Sequence, residues 1–125
     1  MIIEDTKISL EDIPDNEEVF VGVGIDCEFI KKFKEKTKSN TFDGLIFLST
    51  TDLGLGLGYV KTDDFFDHVI KVSDKSINMD YYSSGIYYFK TGFLLKKYLR
   101  KNSEENFILI FNLMINDGLI ILKSF

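Results

Sequence analysis

The sequence is poor in cysteine, proline and histidine, and these scarcities narrow the classes of structure that it can form. Its one cysteine, Cys27, cannot form a disulfide within the chain. It has one proline, and 45% of its residues are hydrophobic, with twelve Phe and six Tyr. That composition is typical of a globular chain and not of a disordered one. Because 125 residues is the usual length of one domain, we predict a single α+β domain over residues 1–125.

The sequence also lacks an apolar run of the length that a membrane-spanning helix needs, about 20 residues. Its longest apolar stretch, residues 107–122, is interrupted by Asn112 and by the Asn116-Asp117-Gly118 triplet. The first ten residues, MIIEDTKISL, have neither the basic region nor the apolar region of a signal peptide. We therefore predict a cytoplasmic protein that does not contact a membrane.

Positive charge is scarce at the N-terminal end. Residues 1–18 contain seven acidic side chains and only one basic one, Lys7, so their charge balance is −6, while the remaining residues balance to +1. The net charge of the chain is −5. A charge surplus confined to one end disfavours nucleic acid as a direct partner and favours a basic protein surface.

Hydrophobic periodicity and turn residues predict a mainly antiparallel sheet of about six to seven strands, two helices and a C-terminal β-hairpin. The strands before the hairpin are predicted at Thr6–Leu10, Val19–Ile25, Asp43–Thr50, Leu53–Lys61 and His68–Ser73. Asp26 is predicted to cap a first helix, from about Cys27 to Lys38. Ser84 is predicted to cap a second, from about Gly85 to Lys101, which would cover the core.

The hairpin prediction comes from the segments FILIFNLMI and LIILKSF, which are joined by Asp117-Gly118. Asp-Gly between apolar runs is a strong signal for a two-residue hairpin turn. Both runs are apolar on both faces, which favours central strands that are covered on each side. A second copy of the chain, in a homodimer, or a partner protein could supply such cover.

Two stretches, VGVGID and LGLGLG, contain glycines at alternate positions: Gly22, Gly24, Gly54, Gly56 and Gly58. A dinucleotide loop needs a third glycine at a strand-to-helix turn, but Cys27 occupies that position after Gly24, next to the Asp26 carboxylate. Alternation in a strand instead places the glycines on one face without side chains. We predict that the second helix, large aromatic side chains, a ligand or an inserted side chain of a partner approaches this face closely.

No catalytic or metal-binding constellation is predicted, and the chain is not expected to be an enzyme or to carry a cofactor. Cys27 and His68 are the candidates for a nucleophile and its base, and nothing in the sequence places them together. The segment TDDFFDH could supply carboxylates and an imidazole to a divalent metal. An acidic turn exposed to solvent explains it better, because no second cluster of ligands accompanies it.

These observations predict a small acidic protein that binds another protein. The most concrete form of the hypothesis is an immunity or inhibitor protein that neutralises a basic partner such as a nuclease toxin. Acidic side chains facing a basic partner would accelerate association. The predicted partner-binding residues are Glu11, Asp12, Asp15, Glu17, Glu18, Asp63, Asp64 and Asp67.

Two other hypotheses are kept. In the first, the chain is a small-ligand-binding domain or enzyme that uses the glycine face, with Cys27 or His68 supplying chemistry. Aromatic side chains would line that site: Tyr59, Tyr81, Tyr82, Tyr87 and Tyr88. In the second, the chain is an oligomeric structural or assembly subunit that associates through its apolar sheet.

Overall fold

The computed structural model describes residues 1–4, 9–38, 40–63, 65–102 and 106–125. The strands are β1 (Ile2–Ile3), β2 (Val19–Val21), β3 (Gly44–Ser49), β4 (Tyr59–Asp63), β5 (His68–Ser73), β6 (Tyr81–Phe89) and β7 (Ile121–Ser124). The helices are α1 (Cys27–Thr37), α2 (Gly92–Lys101) and α3 (Ile110–Asn116), with 3-10 turns at Leu10–Asp12 and Phe107–Leu109. The strand predicted at Thr6–Leu10 falls mostly outside the described residues. No helix in the described ranges is long and apolar enough to cross a membrane.

The strands form one sheet in the order β1-β2-β6-β3-β7-β5-β4. Strand β4 also pairs with β6, where Tyr59 lies opposite Tyr82 and Val60 opposite Tyr81, so five strands close into a barrel. Two pairings, β1 with β2 and β3 with β7, are parallel, and the others are antiparallel. The α+β prediction is therefore confirmed, while the sheet is mixed and not purely antiparallel.

Helix α1 begins where the sequence predicts. The Asp26 carboxylate accepts a hydrogen bond from the backbone N–H of Phe29 at 2.8 Å, which satisfies one of the free donors at the helix N-terminus. Phe33 is the buried residue of this helix, and its ring packs 4.6 Å from that of Tyr88 and 5.2 Å from that of Phe20. The helix thus covers one face of the sheet with a narrow apolar stripe.

The predicted C-terminal hairpin is wrong, because FILIFNLMI forms a 3-10 turn followed by α3. Its apolar residues Ile108, Phe111 and Met114 recur at a helical spacing and are fully buried. Gly118 has a φ of +84° and ends the helix: its N–H donates to the Ile115 carbonyl, and the Leu119 N–H donates to the Met114 carbonyl. These two bonds are a Schellman cap, so Asp-Gly ends a helix here and does not turn a hairpin.

The second predicted helix is also partly wrong. Residues 85–89 belong to β6, which pairs with β2 and β4 on one edge and with β3 on the other. Helix α2 starts only after Thr91, whose hydroxyl accepts a hydrogen bond from the Leu94 N–H at 3.2 Å. The apolar stripe over residues 87–99 joins the end of a buried strand to the start of an amphipathic helix, and periodicity alone cannot divide such a run.

Both predicted glycine strands are shorter than expected. Strand β2 ends at Val21, and residues 53–58 form a loop that leads into β4. Gly54 and Gly56 have φ values of +71° and +63°, in the left-handed region that strand residues do not adopt. The alternating leucines and glycines of residues 53–58 therefore form a loop. The predicted strand face without side chains is not formed by these residues.

The acidic N-terminal segment packs against helix α2. The buried Lys96 ammonium donates to the Ile13 carbonyl at 2.7 Å and forms an ion pair with Asp15. The N–H groups of Gly92 and Phe93 donate to the carbonyls of residues 17 and 15. Residues 13–17 are thus held on the first turns of α2 by both backbone and side-chain bonds.

A tyrosine and a carboxylate join the ends of α2 and α3. The Tyr98 hydroxyl donates to the Asp117 carboxylate at 2.7 Å, and the Lys101 ammonium lies 3.8 Å from the same carboxylate. Burial, together with the hydrogen bond and charge of Asp117, raises the pKa of Tyr98 to about 12. The phenol is therefore held in its neutral form.

This raised pKa predicts a loss of stability at alkaline pH. An unfolded tyrosine ionises near pH 10, whereas folded Tyr98 keeps its proton to about pH 12, so its contribution is complete below pH 10 and is lost as the pH rises toward 12. Denaturant unfolding between pH 8 and pH 12 should show this fall, and a smaller fall for Tyr98→Phe. If the free energy of unfolding fell equally with pH in the wild type and in Tyr98→Phe, the raised pKa of Tyr98 would be contradicted. Tyr87 and Tyr88, whose pKa values are also raised by burial, would account for the fall that remains in the variant.

Candidate ligand-binding groove

The two glycine segments, which are distant in sequence, meet at one open groove of about 350 Å³. The end of β2 supplies Val21, Gly22 and Val23, and the loop before β4 supplies residues 55–57. The remaining lining comes from the middle of β6, from the 3-10 turn before α3 and from the residue that follows β1: Ser84, Gly85, Ile86, Tyr87, Asn106, Phe107 and Glu4. We call this site the glycine groove.

Close backbone approach explains two of its glycines. A Cβ on Gly22 would lie 2.9 Å from the Gly85 carbonyl oxygen, and a Cβ on Gly85 would lie 3.0 Å from a methyl group of Leu57. Both distances are shorter than ordinary carbon contacts, so any side chain would push β2, β6 or the loop apart. The floor of the groove is therefore backbone, with Leu57 lying across it.

The walls of the groove are mainly apolar. The rings of Tyr87 and Phe107 pack against each other with their centroids 5.3 Å apart, and Val23 and Leu55 are 75% and 69% exposed at the mouth. Apolar side chains this exposed around one concave site are typical of a surface that binds a ligand or a partner. Tyr87 hydrogen-bonds Ser83 at 2.9 Å, and burial raises the pKa of its phenol, so this wall is neutral.

Few polar groups face the groove. The Ser84 hydroxyl donates to the Phe47 carbonyl at 2.7 Å, and the Asn106 side-chain oxygen accepts from the Ile108 N–H at 3.2 Å. Among the described residues the lining contains Glu4 but no Lys or Arg. The groove therefore suits an uncharged ligand that can accept or donate a few hydrogen bonds, and it disfavours an anion.

The prediction that other parts of the protein pack closely over the glycines is correct for some of them and wrong for others. Gly58 is covered by the Ile108 side chain, since a Cβ on Gly58 would lie 2.9 Å from the Ile108 γ methyl group, whereas Gly54 and Gly56 have open space around them. Helix α2 supplies none of the nearest atoms at Gly22, Gly58 or Gly85. Loop geometry leaves a groove where the sequence predicted a surface beneath a helix.

Of the five tyrosines predicted to line a site, Tyr87 faces the glycine groove. Tyr59 and Tyr82 line a smaller cavity of about 20 Å³, which shares residues 55–57 with the groove. Tyr81 packs edge-on against Phe125, and Tyr88 packs beneath α1. Sequence reasoning missed Ile86, Asn106 and Phe107, because nothing in a local pattern shows which segments will meet in space.

Cys27 and His68 do not join the groove. Cys27 is exposed at the first position of α1, and His68 lies on β5 opposite Asp63, with its ring 5.8 Å from that of Phe66. Neither lines the groove. Within the described ranges, no group of three or more His, Cys, Asp or Glu side chains is placed to hold a metal ion.

Two of the predicted partner-binding acids, Asp15 and Glu18, form ion pairs with lysines of the chain. Asp15 pairs with Lys96, and the Glu18 carboxylate accepts a hydrogen bond from the Tyr88 hydroxyl at 2.8 Å and lies 3.2 Å from the Lys34 ammonium. Burial, and then the hydrogen bond and charge of Glu18, raise the pKa of Tyr88. These two carboxylates hold the N-terminal segment to the sheet and to α2.

The other predicted acids lie at the surface. Glu11, Asp12 and Glu17 are exposed near the N-terminal 3-10 turn. Asp63 and Asp67 flank the exposed Phe65 and Phe66 at the tip of the β4–β5 hairpin, and Asp64 lies outside the described residues. Binding of a partner by these residues stays a prediction.

No protein-family model matches the sequence, and no curated protein matches it. Solved structures do match the fold. A nucleoside-diphosphate-sugar pyrophosphorylase from Vibrio cholerae has a TM-score of 0.61 at 16% identity, over 86% of this chain and 47% of that one. The inositol-1-phosphate CTP transferase from T. maritima has a TM-score of 0.62 at 13% identity, over 90% of this chain and 47% of that one.

The chain therefore spans about half the length of the structures that it matches. At such identities the likeness concerns the fold alone. The prediction of an immunity or inhibitor protein is wrong on this comparison, because the similar structures are enzymes that act on nucleotides. The fold of this chain is similar to that of about half of each of these two structures.

Proposed function

We propose that this chain is a small-ligand-binding domain and that its glycine groove binds the uncharged part of a nucleotide, the nucleoside. The observation that carries the proposal is the meeting of Gly22, Gly85 and Leu57 at the floor of one apolar, open groove. The absence of side chains at Gly22 and Gly85 lets Leu57 pack down on the backbone, and a flat ring system would lie on this apolar floor between the aromatic walls.

The size and chemistry of the groove support this class of ligand. A volume of about 350 Å³ lies at the lower end of the range for small-molecule sites, which are mostly apolar with a few polar groups that orient the ligand. Tyr87 and Phe107 present aromatic surface for stacking, and Ser84 and Asn106 lie where they can meet the polar edge of a base. The similar structures are named for work on nucleotides, which is consistent with a nucleoside.

The proposal concerns binding and not nucleotidyl transfer. Transfer of a nucleotidyl group depends on cations that neutralise the phosphates. The described lining of the groove has no Lys or Arg, and it includes the acidic Glu4. The phosphates of a bound nucleotide would therefore extend away from this lining toward solvent.

A tryptophan at the mouth of the groove tests the proposal. Leu55 is 69% exposed, so Leu55→Trp should fill the mouth and change the free energy of unfolding by less than about 0.5 kcal/mol. Titration of the wild-type chain with uridine and with adenosine, followed by amide NMR, should shift the signals of Gly22, Gly56 and Gly85 saturably. Leu55→Trp should weaken binding at least about tenfold, which is 1.4 kcal/mol.

The matched control is Ile70→Trp, which makes the same kind of change at an exposed position of β5. Its affinity for either nucleoside should equal that of the wild type. Equal weakening by both tryptophans, or the absence of shifts at the groove with either nucleoside, would refute the proposal.

A further inference from the structure

A second concave site lies on the β4–β5 side of the barrel, and its charge is opposite to that of the chain as a whole. Three lysines surround a depression of about 360 Å³: Lys61 on β4, Lys71 on β5 and Lys75 in the turn that follows. The remaining lining is Ser73, Ile77, Asn78 and Met79, and none of it is acidic. We call this site the lysine pocket.

The strand register brings two of these positive charges together, which lowers the stability of the sheet. Lys61 lies directly opposite Lys71 in the antiparallel pairing of β4 with β5. Like charges at such positions destabilise a sheet. Within the described part of the chain, none of the three lysines forms an ion pair, whereas Lys32, Lys34, Lys96 and Lys101 each have a carboxylate partner. No ion pair among the described residues therefore compensates this repulsion.

Four described acids lie near these lysines in sequence, Asp63, Asp67, Asp74 and Asp80, and none of them lines the pocket. The Asp80 carboxylate accepts a hydrogen bond from the Thr62 N–H at 2.9 Å. In a chain of net charge −5, a concave site with three positive charges and no negative one stands apart from its surroundings. Its field would attract a small anion.

The neutral lining adds donors and an apolar wall. The Ser73 side-chain oxygen accepts from the Lys75 N–H at 3.0 Å, which leaves its own O–H group to donate to a ligand. The Asn78 side-chain amide lines the site too, and its backbone φ of +58° marks a tight loop. Ile77, which is 75% exposed, and Met79 supply apolar surface beside these donors.

We propose that the lysine pocket binds the phosphate groups of a small phosphorylated molecule. Ammonium groups are common phosphate ligands, and the hydroxyl and amide donors complete a set that contains no competing carboxylate. The apolar wall of Ile77 and Met79 would contact the organic part of the ligand. This site is separate from the glycine groove, with which it shares no lining residue.

Titration with inorganic pyrophosphate tests the proposal, followed by amide NMR and calorimetry. Saturable shifts are expected at Lys61, Lys71, Ser73 and Lys75, with no comparable shifts at Gly22 or Gly85. The double variant Lys61→Gln/Lys71→Gln should lose at least about tenfold in affinity. The same variant should also unfold at a higher denaturant concentration, because it removes the cross-strand repulsion.

The matched control is Lys31→Gln/Lys36→Gln, which removes the same charge from exposed positions of α1. It should bind pyrophosphate within about twofold of the wild type, since distant surface charges are largely screened by salt. Equal losses in the two double variants would show general attraction to a positive surface and overturn the proposal, as would shifts confined to the glycine groove or no binding at millimolar pyrophosphate. The two sites share no lining residue, so the pyrophosphate result does not depend on whether the glycine groove binds nucleosides.

Discussion

Gly92→Ala is expected to destabilise the fold more than any other single change considered for this chain. The position is the first residue of α2, where alanine would ordinarily favour the helix by up to about 1 kcal/mol over glycine. Here a Cβ would lie 1.9 Å from the Pro14 carbonyl oxygen and 2.8 Å from a methyl group of Ile13. Helix propensity alone predicts that Gly92→Ala stabilises the protein, whereas this steric overlap makes the substitution destabilising.

The clash cannot be relieved by a small movement. The overlapping atoms are mostly backbone, and residues 13–17 are held in place by the Lys96 ammonium and by the N–H groups of Gly92 and Phe93. To accommodate a methyl group, the segment must leave α2 and break these bonds. We expect a loss of more than about 3 kcal/mol in the free energy of unfolding, measured with urea.

Gly24→Ala provides the control for this prediction. A Cβ on Gly24 would have no atom within 4 Å, so only its φ of +81° opposes the change. That left-handed conformation costs a non-glycine residue roughly 1–2 kcal/mol. If Gly92→Ala proved no more destabilising than Gly24→Ala, the close packing of residues 13–17 on α2 would be refuted.

Asn112→Leu is expected to have the second largest effect. The Asn112 side chain lies on α3 and bonds Val72 twice: its amide oxygen accepts from the Val72 N–H, and its amide nitrogen donates to the Val72 carbonyl, both at 2.9 Å. Val72 is buried on β5, where it lies opposite Val60 of β4. The asparagine thus supplies two hydrogen bonds that the neighbouring strand does not.

Leucine has a similar volume but can make neither bond. Two backbone groups would then be buried without partners, each at a cost of about 1–3 kcal/mol, so we expect a loss of at least about 2 kcal/mol in the free energy of unfolding. The same substitution at the exposed Asn116, at the end of α3, should change stability by less than about 0.5 kcal/mol. Equal effects at the two positions would show that Asn112 does not hold α3 to β5.

The elements that sequence reasoning placed correctly are those whose signals are local. Asp26 bonds the N–H of a residue three positions along the chain, so its capping role is contained within one turn of helix. Strand β5 matches its predicted bounds, His68–Ser73, and β3 lies within the predicted segment Asp43–Thr50. For these elements a short window of sequence contains most of the interactions that decide the conformation.

The wrong predictions share one cause, which is that their deciding contacts are distant in sequence. FILIFNLMI is apolar enough for a buried strand or a buried helix, and Asn112 bonding Val72, forty positions away, helps hold it as a helix against β5. The strand conformation of residues 85–89 depends on pairing with β2 and β3. No window of local sequence contains these partners.

The same distinction applies to the two proposed sites. The sequence by itself determined that glycines recur in two segments, that lysines are spread through the chain, and that a cap begins α1. Only the tertiary structure brought Gly22 to Gly85 and Leu57, and only the strand register set Lys61 opposite Lys71. Local composition limits the conformations that a segment can adopt, whereas a binding site consists of segments that chain folding brings together.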